Sequence, residues 1–281
     1  MSTPPSERPD LVRDAATNAR PTCDLRSPEA RRSNEVERTR FISWLVDHAS
    51  TPPPETTAPS MQTYAHQYLA ALLKPDARAA VRITGDHIKT PAQIEVWWEY
   101  VIQPTMYAIG DLWAQGRISV GQEHLATAIT QRVMSVYYPL ILELPRPKGP
   151  VVVTASPGEY HEIGARLVAD IFEMNGWDVY YTGANTPALS VIEILQSIEA
   201  RFVCISTTLV TSLRAVSSLI TQVRAANLPI QPKILVGGQA YSQTATLWQE
   251  VGADHLAANP HDGIAYLEAH ASLGVGSANR R

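Results

Sequence analysis

The sequence predicts a four-helix bundle cap followed by a doubly wound α/β domain, an expectation that rests on two changes of pattern. From Met61 to about Leu144 apolar residues recur three and four apart, as in Tyr64, Tyr68, Leu72 and again Ile94, Trp98, Val101, and no stretch alternates with period two. After Pro150 the chain passes into five short β-branched or apolar runs, PVVVTAS, WDVYYTG, RFVCISTT, PKILVGG and ADHLAAN, each followed by an amphipathic helical stretch. Five βα units imply a five-stranded parallel sheet of the flavodoxin-like, Rossmann-like kind.

The chain has 281 residues, 45% of them apolar, which is enough for a sizeable core. A formal charge of −4 gives no general pull towards nucleic acid, and no run of 18 or more apolar residues offers a membrane span. No stretch of signal-peptide character stands at the N-terminus, and Cys23 and Cys204 lie in unlike contexts, so no disulfide framework is expected and the protein is placed in the cytoplasm.

In order along the chain, residues 1–33 are polar and proline-rich and read as a disordered tail. Residues 34–60 read as a short helix capped by Ser33 and running to Asp47, then the linker TPPPETTAPS. The bundle occupies 61–147, with breaks at Lys74-Pro75-Asp76, Lys89-Thr90-Pro91 and Gln115-Gly116-Arg117 dividing it into about four pieces, the third kinked at Pro104. The α/β domain occupies 148–273, with helices expected at Glu162–Asn175, Pro187–Glu199, Ser212–Ala226 and His261–Ala271, and 274–281 read as a second tail. Gly176 should take the left-handed position that ends the first of these helices, and Pro187 should sit in the first turn of the second.

Ligands of open α/β sheets bind beyond the carboxyl ends of the strands. Three ends stand out: Gly158-Glu159-Tyr160-His161-Glu162-Ile163-Gly164, Ser206-Thr207-Thr208-Leu209, and Gly237-Gly238. A strand order of 2-1-3-4-5 would bring them to one mouth, where a histidine, small hydroxyls and bare backbone face one cavity. Taken singly, Glu159 is a favourable anion near a helix N-terminus, His161 a capping or surface residue, and Gly237-Gly238 a turn. No nucleophile–base pair, phosphate loop with its lysine or zinc spacing appears, so no catalysis is expected; Cys204 reads as a buried small hydrophobe, and His255 and His261 as surface residues.

Together, Glu159, His161, Gly164, Ser206 or Thr207 with Leu209, and Gly237 with Gly238 resemble the pattern of cobalamin-binding domains in methionine synthase and corrinoid proteins. The resemblance implies that His161 is the lower axial ligand of cobalt, with Glu159 orienting its other ring nitrogen and the displaced nucleotide tail threading into the mouth. In the bundle, WAQGRISVGQEH (residues 113–124) resembles the light-dependent regulators of the CarH/LitR type. That resemblance implies adenosylcobalamin, with Trp113 against the adenosyl group, Val120 beside it, and Glu123 and His124 around its ribose and adenine. On its own, the same segment is a core tryptophan, a turn, and a helix capped by Ser119 and Gln122.

The resemblance implies a light sensor without catalysis of its own, whose photolysis changes domain or subunit arrangement and so its contacts with a protein partner or a second copy. The alternative is a corrinoid methyl carrier serving separate methyltransferases, and a third reading is a receiver-like module without cofactor. Two departures matter. Residues 1–60 show no basic recognition helix, so direct DNA binding is not expected, and the helix around Phe41, Trp44 and Leu45 is left to dock on the bundle or on a partner. Ala114 stands where CarH-like repressors have the histidine that takes the upper cobalt position after photolysis. The related photocobilins also hold a linear tetrapyrrole such as biliverdin; Tyr64, Tyr68, Trp97, Trp98, Tyr100, Tyr107, Tyr137 and Tyr138, with His66 or His87, supply either such a pocket or an ordinary core.

Overall fold

The computed structural model describes residues 28–53, 59–242, 244 and 246–271, of which 28–34 are described as backbone only. Most of the 1–33 tail, the centre of the linker and all of 274–281 lie outside the described residues. The first helix, α1, spans Pro28–His48 and so begins five residues before Ser33. Polarity concealed this start: Pro28 suits a first helical position, and Glu29, Ala30, Arg31 and Arg32 are good helix formers without apolar periodicity.

The bundle follows as α2 (Met61–Leu73), α3 (Ala77–His87), α4 (Pro91–Trp97), α5 (Gln103–Ala114) and α6 (Val120–Leu142). Ser60 and Asp76 accept from the backbone N–H three residues on, and Thr90–Gln93 and Ser119–Gln122 form capping boxes. Between α4 and α5 a π-helical turn, Trp98–Ile102, makes one rod of residues 91–114. Pro104 has no N–H to give the carbonyl four residues back, and just before it the Gln103 N–H reaches five back to Trp98, so the rod widens there.

Helix α1 docks on this bundle. Leu45 and Val46 are buried, Arg117 donates to the Val46 carbonyl at 2.8 Å, and Trp44 stacks on His48 and meets His66 edge-on. Aromatic residues fill much of the bundle's core: Tyr68, Trp97 and Trp98 are fully buried, and Tyr64, His87 and Trp97 pack against one another, while Tyr100 and Trp113 are half exposed.

Five parallel strands, β1 (Lys148–Ala155), β2 (Trp177–Tyr181), β3 (Phe202–Ser206), β4 (Lys233–Gly237) and β5 (His255–Leu256), pair in the order β2-β1-β3-β4-β5. The helices α7 (Ile163–Met174), α8 (Ala188–Ser197), α9 (Leu213–Ala225), α10 (Leu247–Glu250) and α11 (Pro260–Ala271) cover its faces. Gly176 ends α7 with φ 85°, whereas Pro187 caps α8 with extended backbone instead of entering its first turn. Strand residues alternate between two cores: Val152, Val203, Ile234 and Val236 pack with α8 and α9, while Val151, Val153, Cys204 and Leu235 share one continuous core with α7, α11 and the whole bundle.

Where bundle and α/β domain meet, that core carries polar links. Trp98 Nε1 donates to Asp170 Oδ2 at 2.9 Å, Asn175 to Glu95 at 3.4 Å, and Tyr138 to Glu173 at 3.3 Å, which Arg146 pairs at 3.2 Å. His261, partly exposed as expected, reaches Glu99 at 3.1 Å and Glu95 at 3.5 Å, and His255, also partly exposed, pairs with Asp262 and stacks on Tyr266. Among the described residues no helix is long and apolar enough to cross a membrane.

Two expectations follow. Burial pushes the Asp170 carboxyl up to about 7, outweighing the Trp98 hydrogen bond and the Arg166 charge that lower it. The unfolded chain ionises this group near 4, so its contribution to stability falls as pH rises from about 4 through about 7. Asp170→Asn keeps an acceptor for Trp98 and should raise the melting temperature at pH 8 while changing it little near pH 4; thermal melts at both values check this. Gly238 has φ 104°, and a Cβ there would lie 2.3 Å from the Thr207 carbonyl oxygen. Gly238→Ala should cost about 2–4 kcal/mol in urea unfolding.

Candidate cobalamin-binding mouth

The order β2-β1-β3-β4-β5 makes β1, β3 and β4 consecutive neighbours, and their ends are joined edge to edge. Ser156 N–H donates to the Ser206 carbonyl at 3.0 Å, Thr207 N–H to the Gly237 carbonyl at 2.9 Å, and Ala240 N–H to the Thr207 carbonyl at 3.2 Å. The two glycines serve this closure: besides the Gly238 approach to Thr207, a Cβ on Gly237 would stand 2.9 Å from the Ala257 carbonyl oxygen. Their lack of side chains was expected to make room for a ring; in the structure it makes room for neighbouring backbone. Gly164 differs, since a Cβ there would meet only Ser206 Oγ at 3.6 Å, an ordinary contact.

Between β1 and α7, residues 156–162 form the loop that carries the candidate ligand. Glu159 is 1% exposed, and its two oxygens divide the work. Oε2 accepts from the backbone N–H of Thr208 at 3.2 Å and Leu209 at 3.1 Å, while Oε1 takes the His161 backbone N–H at 3.3 Å and pairs with His161 Nδ1. Burial pushes this carboxyl up, but the hydrogen bonds from His161 and Leu209 together outweigh it and hold the group at about 2. In return Glu159 raises the His161 imidazole above its ordinary value against the effect of burial, with the charges of Glu159 and Glu123 adding to the rise.

With Nδ1 engaged, Nε2 is the nitrogen His161 has free for a ligand, on a side chain 49% exposed. The donor set suits an imidazole ligand with a carboxylate behind it. The surroundings suit a large, partly apolar ring: Tyr160, Leu209 and Val210 are exposed apolar side chains of the loops beyond β1 and β3. Just past the ends of β1 and β3, Ser156 Oγ is buried and without a hydrogen-bond partner among the described residues, and Thr207 is buried as well. An orphaned hydroxyl at the base of the mouth fits a polar group reaching between the strand ends.

The bundle's contribution is the start of α6 and the end of α5. Glu123 is a bundle charge that acts on His161; its Oε1 accepts from Thr127 at 3.0 Å and its Oε2 lies 3.5 Å from His124 Nε2. Trp113 and Val120 are half exposed and His124 is 74% exposed. Farther along α6 a groove of about 660 Å³ runs between it and α7, lined by Gln131, Arg132, Ser135, Glu162, Arg166 and Tyr181. Glu162 was read only as the start of a helix. It accepts from Gln131 of the bundle and from the Ala184 N–H at 3.2 Å, while its carbonyl accepts from Tyr181 at 3.2 Å, so it ties the ligand loop to α6 and β2 at once.

Residues 149–263 match a family model described as a B12 binding domain, and residues 64–138 match a second model of the same description. Dimethylamine corrinoid protein 2 of Methanosarcina mazei is 25% identical over 201 residues, 68% of this chain and 88% of the relative. The HTH-type transcriptional repressor CarA of Myxococcus xanthus is 28% identical over 152 residues, 53% of this chain and 49% of the repressor. The monomethylamine corrinoid protein of Methanosarcina barkeri superimposes with a TM-score of 0.62 at 19% identity, covering 75% of this chain and 100% of that one, which is a likeness of fold. A helical B12-binding domain at 64–138 and an α/β one at 149–263 therefore stand side by side, and the chain is a cobalamin-binding protein.

Proposed function

We propose that the protein is a corrinoid carrier: it holds cobalamin between bundle and sheet, with His161 as lower axial ligand, and presents the upper face to separate protein partners such as methyltransferases. The observation that carries the reading is the Glu159–His161 pair, which fixes Nδ1 on a buried carboxylate and leaves Nε2 at the mouth. Bound cobalamin supplies a cobalt–carbon bond that a partner enzyme or light can open. In this reading Glu159 orients the imidazole, Gly164, Ser206, Thr207 and Leu209 wall the mouth, Gly237 and Gly238 shape it, and Trp113, Val120, Glu123 and His124 form the upper wall. The similarity to dimethylamine corrinoid proteins over most of their length supports carriage over sensing.

A second reading keeps the lower half and changes the upper group. The segment Trp113 to His124, through its resemblance to the light-dependent regulators of the CarH/LitR type, favours adenosylcobalamin and a response to light, in which Trp113 loses its packing partner and the bundle rearranges. Ala114 offers no imidazole to the upper face. Of the aromatics that a linear tetrapyrrole would need, Tyr68, Trp97 and Trp98 are buried core and Tyr64, Tyr137 and Tyr138 pack against it, while Tyr100 is half exposed.

His161→Ala should abolish the base-off, histidine-on absorption spectrum of the reconstituted protein. Its retention would sink either reading. Trp113→Ala then separates the two. For a carrier, affinity for methylcobalamin and adenosylcobalamin should change alike. For a sensor, adenosylcobalamin should lose about tenfold, as expected for one lost stacking contact, and green light should shift the elution volume of the wild-type protein alone.

A further inference from the structure

We propose that Asn185, in the turn between β2 and α8, is the positioning residue that holds His161 ready to act as a ligand; the inference rests on His161 being the axial ligand. Asn185 adopts the left-handed conformation, φ 51°, which asparagine tolerates better than most residues. From there it makes three hydrogen bonds to consecutive residues of the ligand loop. Its N–H donates to the Glu159 carbonyl at 2.9 Å, its Oδ1 accepts from the Gly158 N–H at 2.9 Å, and its Nδ2 donates to Tyr160 Oη at 3.2 Å.

The same turn reaches past the histidine. Ala184 N–H donates to Glu162 Oε2, so the segment 184–185 holds residues 158, 159, 160 and 162 and leaves His161 as the member of that run it does not touch. The loop has no regular secondary structure, and Tyr160 is 73% exposed. Glu159 fixes the imidazole relative to the loop, but only contacts from outside fix the loop relative to the sheet. Asn185 supplies these on the β2 side, opposite the Thr208 and Leu209 donors on the β3 side. A ligand between two such anchors meets its metal with little ordering left to do, which appears as affinity and as complete coordination.

The test reconstitutes the full chain, its histidines labelled with nitrogen-15, with cob(II)alamin and reads, by electron paramagnetic resonance, the fraction of cobalt whose signal is split by an axial histidine nitrogen, which the label tells apart from the cofactor's own benzimidazole nitrogen, together with affinity and melting temperature. Asn185→Gly accepts the same φ, keeps the backbone donor and loses both side-chain bonds. It should fold, bind about tenfold more weakly, as expected for two neutral hydrogen bonds, and show a reduced nitrogen-coordinated fraction. Asn185→Asp should restore both readouts, since its carboxylate accepts from the Gly158 N–H and from the Tyr160 hydroxyl. An Asn185→Gly protein with wild-type affinity and wild-type nitrogen splitting overturns the inference alone. A wild-type spectrum without nitrogen splitting, or splitting that survives His161→Ala, overturns it together with the ligand assignment.

Discussion

A carboxylate taken out of water costs several kcal/mol unless every lone pair finds a donor, and Glu159 meets that demand with donors drawn from two loops. The Thr208 and Leu209 N–H groups come from the end of β3, and the His161 N–H and imidazole come from its own loop beyond β1. Such an arrangement is available only where β1 and β3 are neighbours, which the strand order provides. The chain of cause runs from topology to a buried anion, from the anion to one ring nitrogen, and from that nitrogen to the freedom of the other.

The second constraint is the way the bundle is joined to the sheet. Helix α7 belongs to both: its inner side covers β1 and β2, and its outer side carries Asp170 and Glu173 into the bundle. The core is continuous from Leu72 through Ile171 to Val153. Lifting the bundle away along this seam would expose that core and strand Asp170 without the Trp98 N–H. Rearrangement above the mouth is therefore cheaper at the ends of α5 and α6, where Trp113, Val120 and His124 are already half exposed or more, than at the seam.

Much of the fold was legible because it rests on local periodicity. Helix breaks at Pro75, Pro91 and Gly116, the five strands and the Gly176 stop are each set by residues within a few positions of one another. The pairing of Glu159 with His161, two positions apart, came from the resemblance, since taken singly the two read as a helix-end anion and a capping or surface residue. Contacts between distant segments were not legible. Leu209 lies 50 residues from Glu159, and Asn185 is 27 residues from Gly158, so neither partner leaves a mark in any window of sequence. Gly237-Gly238 shows the ambiguity from the other side: bare backbone reads equally as space for a ligand or for neighbouring backbone, and the 2.3 Å and 2.9 Å approaches show the second need. The start of α1 at Pro28 was missed because a polar helix shows propensity but no apolar stripe.

In the proposed reading the lower half of the mouth is indifferent to what sits above it, for the Glu159–His161 pair would do the same work under a methyl or an adenosyl group. Function has to diverge at the upper wall. There a sealed pocket would protect a light-labile bond until illumination, whereas a carrier must let a second protein reach the upper face at each turnover. In the proposed reading that choice falls to Trp113, Val120, Glu123 and His124, which stand at the end of α5 and the start of α6, away from the seam that holds the bundle to the sheet.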